Sequence, residues 1–250
     1  MKLLKRFVKA LSIQNYKNFF ELFHFIRNYI QFKKLSLLAG KRFSLKIKDV
    51  YPRLEDRRKS HEFDAHYIYH PAWASRIIVK NKPAKHIDIS SSLYFVTIAS
   101  SFIPIEFYDY RPAQIELSNL KTYHGDLNNL PFETSSVHSL SCMHVVEHIG
   151  LGRYGDVLDY DGDLKAICEL KRVVAVEGDF LFVVPIGEPR IEYNAHRIYS
   201  YKQVLNFFED FSLQNFSFVT DKGVFIENYE PHITIDQSYG CGCFWFKKIK

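Results

Sequence analysis

From residue 80 onward, short apolar runs alternate with stretches of helical period. "KHIDI" is a compact β-rich run, and "YFVTIASSF" behind it has helical spacing. "IEFYDY" is a second run that ends in an acid, "KTYHGDL" a third and "VHSLSCM" a fourth. "DLKAICELKRVV" puts Ala166, Ile167, Leu170, Val173 and Val174 on one side of a helix. "DFLFVVP" is a fifth strand and "SYKQVLNFFEDF" another helix, with "LQNFSFV" and "CGCFWFKK" as the last strands. Strands that alternate with helices predict an α/β protein with a doubly wound, mostly parallel sheet.

The N-terminal part has a different pattern. Phe20, Leu22, Phe23, Phe25, Ile26, Ile30 and Phe32 have near-helical spacing, so a helix is expected over residues 15–38, closed at Gly40. A polar connection follows, then a helix from about Pro71 that leads to the main domain. The expected organisation is a basic helical extension over residues 1–60 and one sheet domain over 61–250.

Composition adds limits. An apolar content of 47% supplies a real core, and 24% charged residues argue against disorder. The apolar runs are too short to span a bilayer. "MKLLKRFVKALSIQNYKNFF" scatters basic residues through its apolar ones, so no signal peptide is expected. Cys142, Cys168, Cys241 and Cys243 form no disulfide framework, which favours a reduced, cytoplasmic protein. Residues 1–60 hold 16 Lys/Arg against 4 Asp/Glu, and the remaining residues hold 17 against 24. The basic arm either packs on the acidic body or contacts a membrane surface or protein partner. No nucleic-acid motif accompanies it.

In doubly wound sheets, ligands sit at the carboxyl ends of the strands. Asp88, Asp109 and Asp126 fall at the ends of strands one, two and three. An acid ending strand two is placed to grip a ribose diol, since its two oxygens accept both hydroxyls. Several other signals are weaker. "DYDGDL" has Leu164 and Leu170 where a calcium loop wants glycine and glutamate, so Asp161 or Asp163 is read as a helix cap. The pairs His144/His148 and His66/His70 could each share a helix face but have no third ligand in sequence reach. Cys241 and Cys243 have no second pair at zinc spacing, so no metal is expected. No serine-hydrolase elbow, P-loop or dinucleotide fingerprint occurs.

"GDLNNLPFETSSVHSLSCMHVVEHI" resembles the central signature of class I S-adenosylmethionine-dependent methyltransferases. "FDAHYIYHPAWA", "HIDISSS", "YDYRP", "SLSCMHVVEHIGLGRYGDVLDYDGDLKAICELKRV" and "VVPIGEPRIEYNAHRIYS" resemble one family among them, domain of unknown function 268. The resemblance implies a Rossmann-like methyltransferase sheet of seven strands, with S-adenosyl-L-methionine as cofactor. It implies that Asp88 and the loop Ser90, Ser91 and Ser92 face the methionine part of the cofactor. Asp109, with Tyr110 and Arg111, takes the ribose side, and Asp126 and Leu127 meet the adenine edge. Cys142 and His144 line the pocket near the sulfonium.

Glu147, Arg153, Tyr154, Tyr193, Asn194 and Arg197 fall in loops that shape the acceptor pocket, where an arginine fork suits carboxylate or phosphate. Arg153 could instead pair with Asp156 or Asp159 and staple its own loop. His144, His148 and His196 are candidate general bases. By analogy with the family, the expected substrate is a small metabolite or a surface-glycan precursor bearing an acceptor oxygen. The rival reading is a methyltransferase-like binding or scaffold protein without cofactor. It is motivated by Ser90, which stands where the family keeps glycine. A serine forced into the left-handed region costs roughly 1–2 kcal/mol, or about tenfold in affinity if the cost falls on binding.

Overall fold

The computed structural model describes residues 17–40, 43–54, 63–230 and 237–249. The expectations for residues 1–16 and for residues 55–62 of the polar connection lie outside the described residues. The chain divides into two compact units, residues 1–62 and 63–250. The first holds helix α1, Lys17–Leu38, and a short 3-10 turn at Ile47–Asp49. No Gly or Pro interrupts α1, and Gly40 follows it with φ +77. No helix among the described residues is long and apolar enough to cross a membrane.

The second unit opens with α2, Ala65–Asn81. This helix begins six residues before the expected start at Pro71, because Asp64 caps it by accepting the Tyr67 N–H at 3.3 Å. Pro71 lies inside the helix, so it has no N–H to offer the Tyr67 carbonyl. Then come β1 (His86–Ile89), α3 (Leu93–Ala99), β2 (Ile105–Asp109), β3 (Leu120–His124) and β4 (Val137–Met143). Next are α4 (Gly162–Val173), β5 (Val174–Ile186), β6 (Arg190–Glu192) and β7 (His196–Ile198). Helix α5 (Tyr201–Phe207) and strands β8 (Phe211–Val219), β9 (Phe225–Ile226) and β10 (Gly240–Lys248) complete the unit.

The sheet order is β3-β2-β1-β4-β5-β10-β8-β9. Strands β1 to β5 pair in parallel, and β10 runs antiparallel between β5 and β8. This is the doubly wound, mostly parallel sheet expected, with the two-residue β9 as an eighth, edge strand. Sequence analysis missed the β6–β7 hairpin, whose three-residue strands are too short to show alternation.

The sheet is covered on both faces. On one, α2 and α3 bring Trp73, Ile77, Ile78, Phe95 and Val96 against Phe107, Leu181 and Val183. On the other, Ile167 and Leu170 of α4 and Val204 of α5 pack with Phe180, Phe182 and Phe244. Strands buried on both faces must be apolar throughout, which is why "FLFVVPI" reads as an unbroken run. Ser200 and Gln203 form a capping box on α5. Neither acid expected to cap α4 does so. Asp161 stands at the cap position without a side-chain bond, and Asp163 is buried against Tyr199 and Arg197.

Candidate functional site

The opening loop keeps the path that glycine would take. Ser90 has φ +52, in the left-handed region. Its N–H and its hydroxyl both donate to the Tyr108 carbonyl, at 2.8 and 3.2 Å, tying the loop to the end of β2. Ser91 accepts the Met143 N–H at 3.0 Å, tying it to β4. Behind the loop lies a buried polar chain. Ser141 donates to Asp88 in a short hydrogen bond and accepts from His86 Nε2 at 2.9 Å, while Ser139 donates to His86 Nδ1 at 2.7 Å. Burial keeps His86 neutral by pushing it down to about 3. Burial also pushes the Asp88 carboxyl up to about 7, against the hydrogen bonds from Ser141 and Ser91.

Two cavities open where the parallel strands end. The first, about 400 Å³, is lined by Ser90, Asp109, Asp126 and Leu127 together with His144 and His148. Tyr110 and Arg111 also line it. Its size is in the range of cavities that hold small-molecule cofactors. Asp109 accepts the Arg111 N–H at 2.7 Å and Asp126 the Asn128 N–H at 2.9 Å, each through Oδ1. Of residues 90–95, only Ser90 borders the cavity, so the loop does not fill it.

The second cavity, about 540 Å³, is lined by Glu147, Arg153, Tyr193, Asn194 and His196, with Tyr67 and Tyr239. His144, His148 and Tyr154 line both cavities. The Tyr154 ring carries the guanidinium groups of Arg111 and Arg153, each 5.1 Å from its centre. Tyr67 and Tyr239 were not singled out in the sequence. The available signal for Tyr67 was that "FDAHYIYHPAWA" is one of the stretches that carry the resemblance.

The glycine-rich turn after β4 is built around Asp156. Its carboxylate accepts the N–H groups of Gly150, Gly152 and Tyr154, which hold it below the usual range against slight burial. Gly150 has φ +81, and a Cβ there would stand 2.1 Å from the Asp159 carbonyl oxygen, so glycine is required. Asp159 pairs with Lys165 at 2.5 Å. Neither aspartate holds Arg153, so the alternative of a self-stapled loop fails. Arg153 instead donates to the Ala195 carbonyl at 3.1 Å, and among the described residues no carboxylate pairs with it.

The histidines differ in their commitments. His144 follows β4 with φ +57, and His148 closes a 3-10 turn at Val146–His148, so the pair does not share the helix face that its spacing allowed. His144 Nδ1 lies 2.8 Å from Glu147 Oε1. Burial opposes charge on His144, but the Cys241 sulfur and Glu147 outweigh it and push it up to about 10. His148 Nδ1–H donates to the Ala195 carbonyl at 2.6 Å, so its Nε2 carries the lone pair. Burial lowers its pKa. His196 Nε2 faces Glu192 Oε2 at 3.1 Å.

Several expected site residues lie elsewhere. Asp88 is fully buried and Cys142 is 1% exposed, so both support the loop and strand from behind. Ser91 and Ser92 do not line the first cavity. Arg197, expected as a substrate fork, is buried. It donates to the carbonyls of Ile149 (2.6 Å), Tyr160 (2.9 Å) and Asp159 (3.3 Å), and its Nε lies 3.3 Å from Asp163. With its donors spent on its own chain, it has none for an acceptor.

The model of a family described as "Caenorhabditis protein of unknown function, DUF268" matches residues 100–238. No curated protein matches the chain at a significant level. Among solved structures, geranyl diphosphate methyltransferase in complex with SAM aligns with a TM-score of 0.52 and 14% identity, over 73% of this chain and 87% of that one. Geranyl diphosphate C-methyltransferase from Streptomyces coelicolor A3(2), in complex with Mg2+, geranyl diphosphate and S-adenosyl-L-homocysteine, gives 0.51 and 10%, over 71% and 78%. The cyclase SpnF gives 0.50 and 10%, over 72% and 81%. At such identities the likeness shows a shared fold, that of class I methyltransferases. The cyclase illustrates that one fold hosts more than one reaction.

Proposed function

The chain belongs to the family described as Caenorhabditis protein of unknown function, DUF268, and from that footing we propose that it is an S-adenosylmethionine-dependent methyltransferase. Its acceptor is an oxygen on a small metabolite or glycan precursor. The observation that carries this reading is the shared wall, since His144, His148 and Tyr154 border both cavities. A donor held in the first cavity and an acceptor held in the second meet there, and positioning of this kind supplies most of the catalysis in an in-line displacement.

The residues present fit the cofactor. Asp109 offers a carboxylate oxygen to a ribose diol, and Asp126 with the Leu127 backbone faces the side where an adenine edge fits. When bound, S-adenosylmethionine supplies an electrophilic methyl group. For a hydroxyl acceptor, His148 removes the proton at Nε2, because its Nδ1–H is fixed on the Ala195 carbonyl. Glu147 Oε1, 3.9 Å from that Nε2, steadies the imidazolium that forms. His144 suits this role less, with Nδ1 held by Glu147 and Nε2 buried beside the Cys241 sulfur. Arg153 anchors an anionic group of the acceptor. The scaffold reading loses support because the first cavity stands open beside Ser90.

Calorimetric titration of the purified protein with S-adenosylhomocysteine tests the reading. A single binding isotherm is expected, and absence of heat at high micromolar ligand with folded protein would overturn it. The same titration of Ser90→Gly locates the strain. Two hydrogen bonds from Ser90 to the Tyr108 carbonyl build φ +52 into the loop, so its cost of roughly 1–2 kcal/mol is expected to fall on folding and not on binding. The affinity of Ser90→Gly is therefore expected to stay within about threefold of the parent, where a cost on binding predicts about tenfold tighter.

A pH profile tests His148. A lowered imidazole pKa favours the neutral base, so kcat is expected to be level from about pH 7 upward and to fall only below the ordinary value of 6.5. His148→Gln is expected to lower kcat about 100-fold or more and to abolish the acidic limb. A limb unchanged in the variant would assign the proton to another group.

A further inference from the structure

We infer that His66, His144 and Cys241 form a binding site for a divalent transition metal ion, with zinc as the ion the donors suit best. The three come from the start of α2, the end of β4 and the start of β10, and their ligand atoms all lie within 4.8 Å of one another. A tetrahedral ion with bonds of about 2.0–2.3 Å needs its ligand atoms roughly 3.3–3.6 Å apart. Rotations that move these atoms by about 1 Å close the site. His66 and Cys241 both lie outside or at the far side of the segment that the family model matches, residues 100–238.

The strongest sign is His144. Its Nε2 is buried with no nitrogen or oxygen partner and only the Cys241 sulfur beside it, although burying a polar nitrogen poorly paired costs free energy. Its Nδ1 is held at 2.8 Å by Glu147, itself 1% exposed. A carboxylate behind a histidine in this way orients a metal ligand and raises its basicity. The ring centres of His66 and His144 are 5.5 Å apart, and their planes, 10° from parallel, must turn relative to one another for both in-plane lone pairs to meet one ion. Two imidazoles bound through one nitrogen each to a tetrahedral ion place their centres about 5 Å apart. Tyr239 stacks on His66 at 5.1 Å and Tyr67 on His144 at 5.5 Å.

The donor set selects the ion. Two imidazoles and one thiolate suit zinc, and they disfavour magnesium and calcium, which want oxygen. A bound cation displaces the thiol proton and the proton on His144 Nε2, so binding releases protons to solvent. With three protein ligands, the fourth position is left for water or a small-molecule oxygen. Cys243 lies close by, its sulfur 3.9 Å from that of Cys241, but it is not one of the three. The inference does not depend on methyl transfer and stands or falls on metal binding alone.

The test uses untagged full-length protein stripped with chelator and titrated with cobalt(II), then with zinc as competitor. One cobalt per chain is expected, with a near-ultraviolet thiolate-to-cobalt band that zinc abolishes. Cys241→Ser is expected to lose the band and to weaken zinc binding more than about 100-fold. His66→Ala is expected to weaken zinc binding comparably. Glu147→Gln should keep the band and bind zinc about 10–100-fold more weakly. Melting curves of the metal-free proteins check that the variants fold. The inference is overturned if folded parent protein takes up less than stoichiometric cobalt, if the thiolate band is missing, or if Cys241→Ser and His66→Ala bind zinc as the parent does.

Discussion

Asp109→Ala is expected to weaken S-adenosylhomocysteine binding about 100-fold while leaving the protein folded. Asp109 ends β2 and borders the first cavity, with Oδ1 accepting the Arg111 N–H at 2.7 Å. A carboxylate that accepts from a ribose diol makes hydrogen bonds worth about 1.5–3 kcal/mol each, so losing them costs on the order of 3 kcal/mol. The side chain is half-buried at a strand end, so its removal opens no core cavity, and melting should change little. Asp126→Ala, which removes one contact to a base edge, is expected to weaken binding only about tenfold. Calorimetry on the two variants decides the matter, and an Asp109→Ala affinity within threefold of the parent would assign the diol elsewhere.

The largest effect on stability is expected from Arg197. Arg197→Met should destabilise the fold by about 3–5 kcal/mol, because it leaves a buried carboxylate and three partly buried carbonyl bonds without their donor. Asp163 retains the Tyr199 hydroxyl at 2.9 Å, but that single bond does not replace a guanidinium. For a unit of this size the loss lowers the melting temperature by roughly 10 °C. Arg197→Lys should rescue little, since one ammonium cannot reach carbonyls on both sides of the turn. Thermal melting followed by circular dichroism measures this. If Arg197 bound substrate instead, the variant would melt like the parent and lose only acceptor affinity.

Arg197 and Arg153 illustrate how the sequence can mislead. Both stand in loops after parallel strands, and both fit the pattern of an anion fork. Only packing distinguishes them. The β6–β7 hairpin folds Arg197 under the turn at Ile149 and leaves Arg153 beside the second cavity. Sequence analysis could not foresee this because the hairpin strands are three residues each. The start of α2 also lay earlier than expected, at Ala65 behind the Asp64 cap, with Pro71 inside the helix.

What the sequence determined by itself was whatever depends on neighbours along the chain. Unbroken apolar runs such as "FLFVVPI" marked the central strands, helical spacing marked α3 and α4, and the alternation of the two dictated a doubly wound sheet. The acids at strand ends followed, because parallel strands bring their carboxyl ends to one edge and so bring Asp109 and Asp126 to one cavity. The sequence left open whether Ser90 takes the left-handed region, and the structure has it there. Only the tertiary structure decided which side chains face one another across the fold. Asp88 turned inward, where burial and Ser141 hold it. His66 and Cys241, distant in sequence, came within reach of His144 because α2 and β10 both pack beside the end of β4. Such convergence leaves no local spacing to read, since it is set by helix and strand packing over the whole sheet.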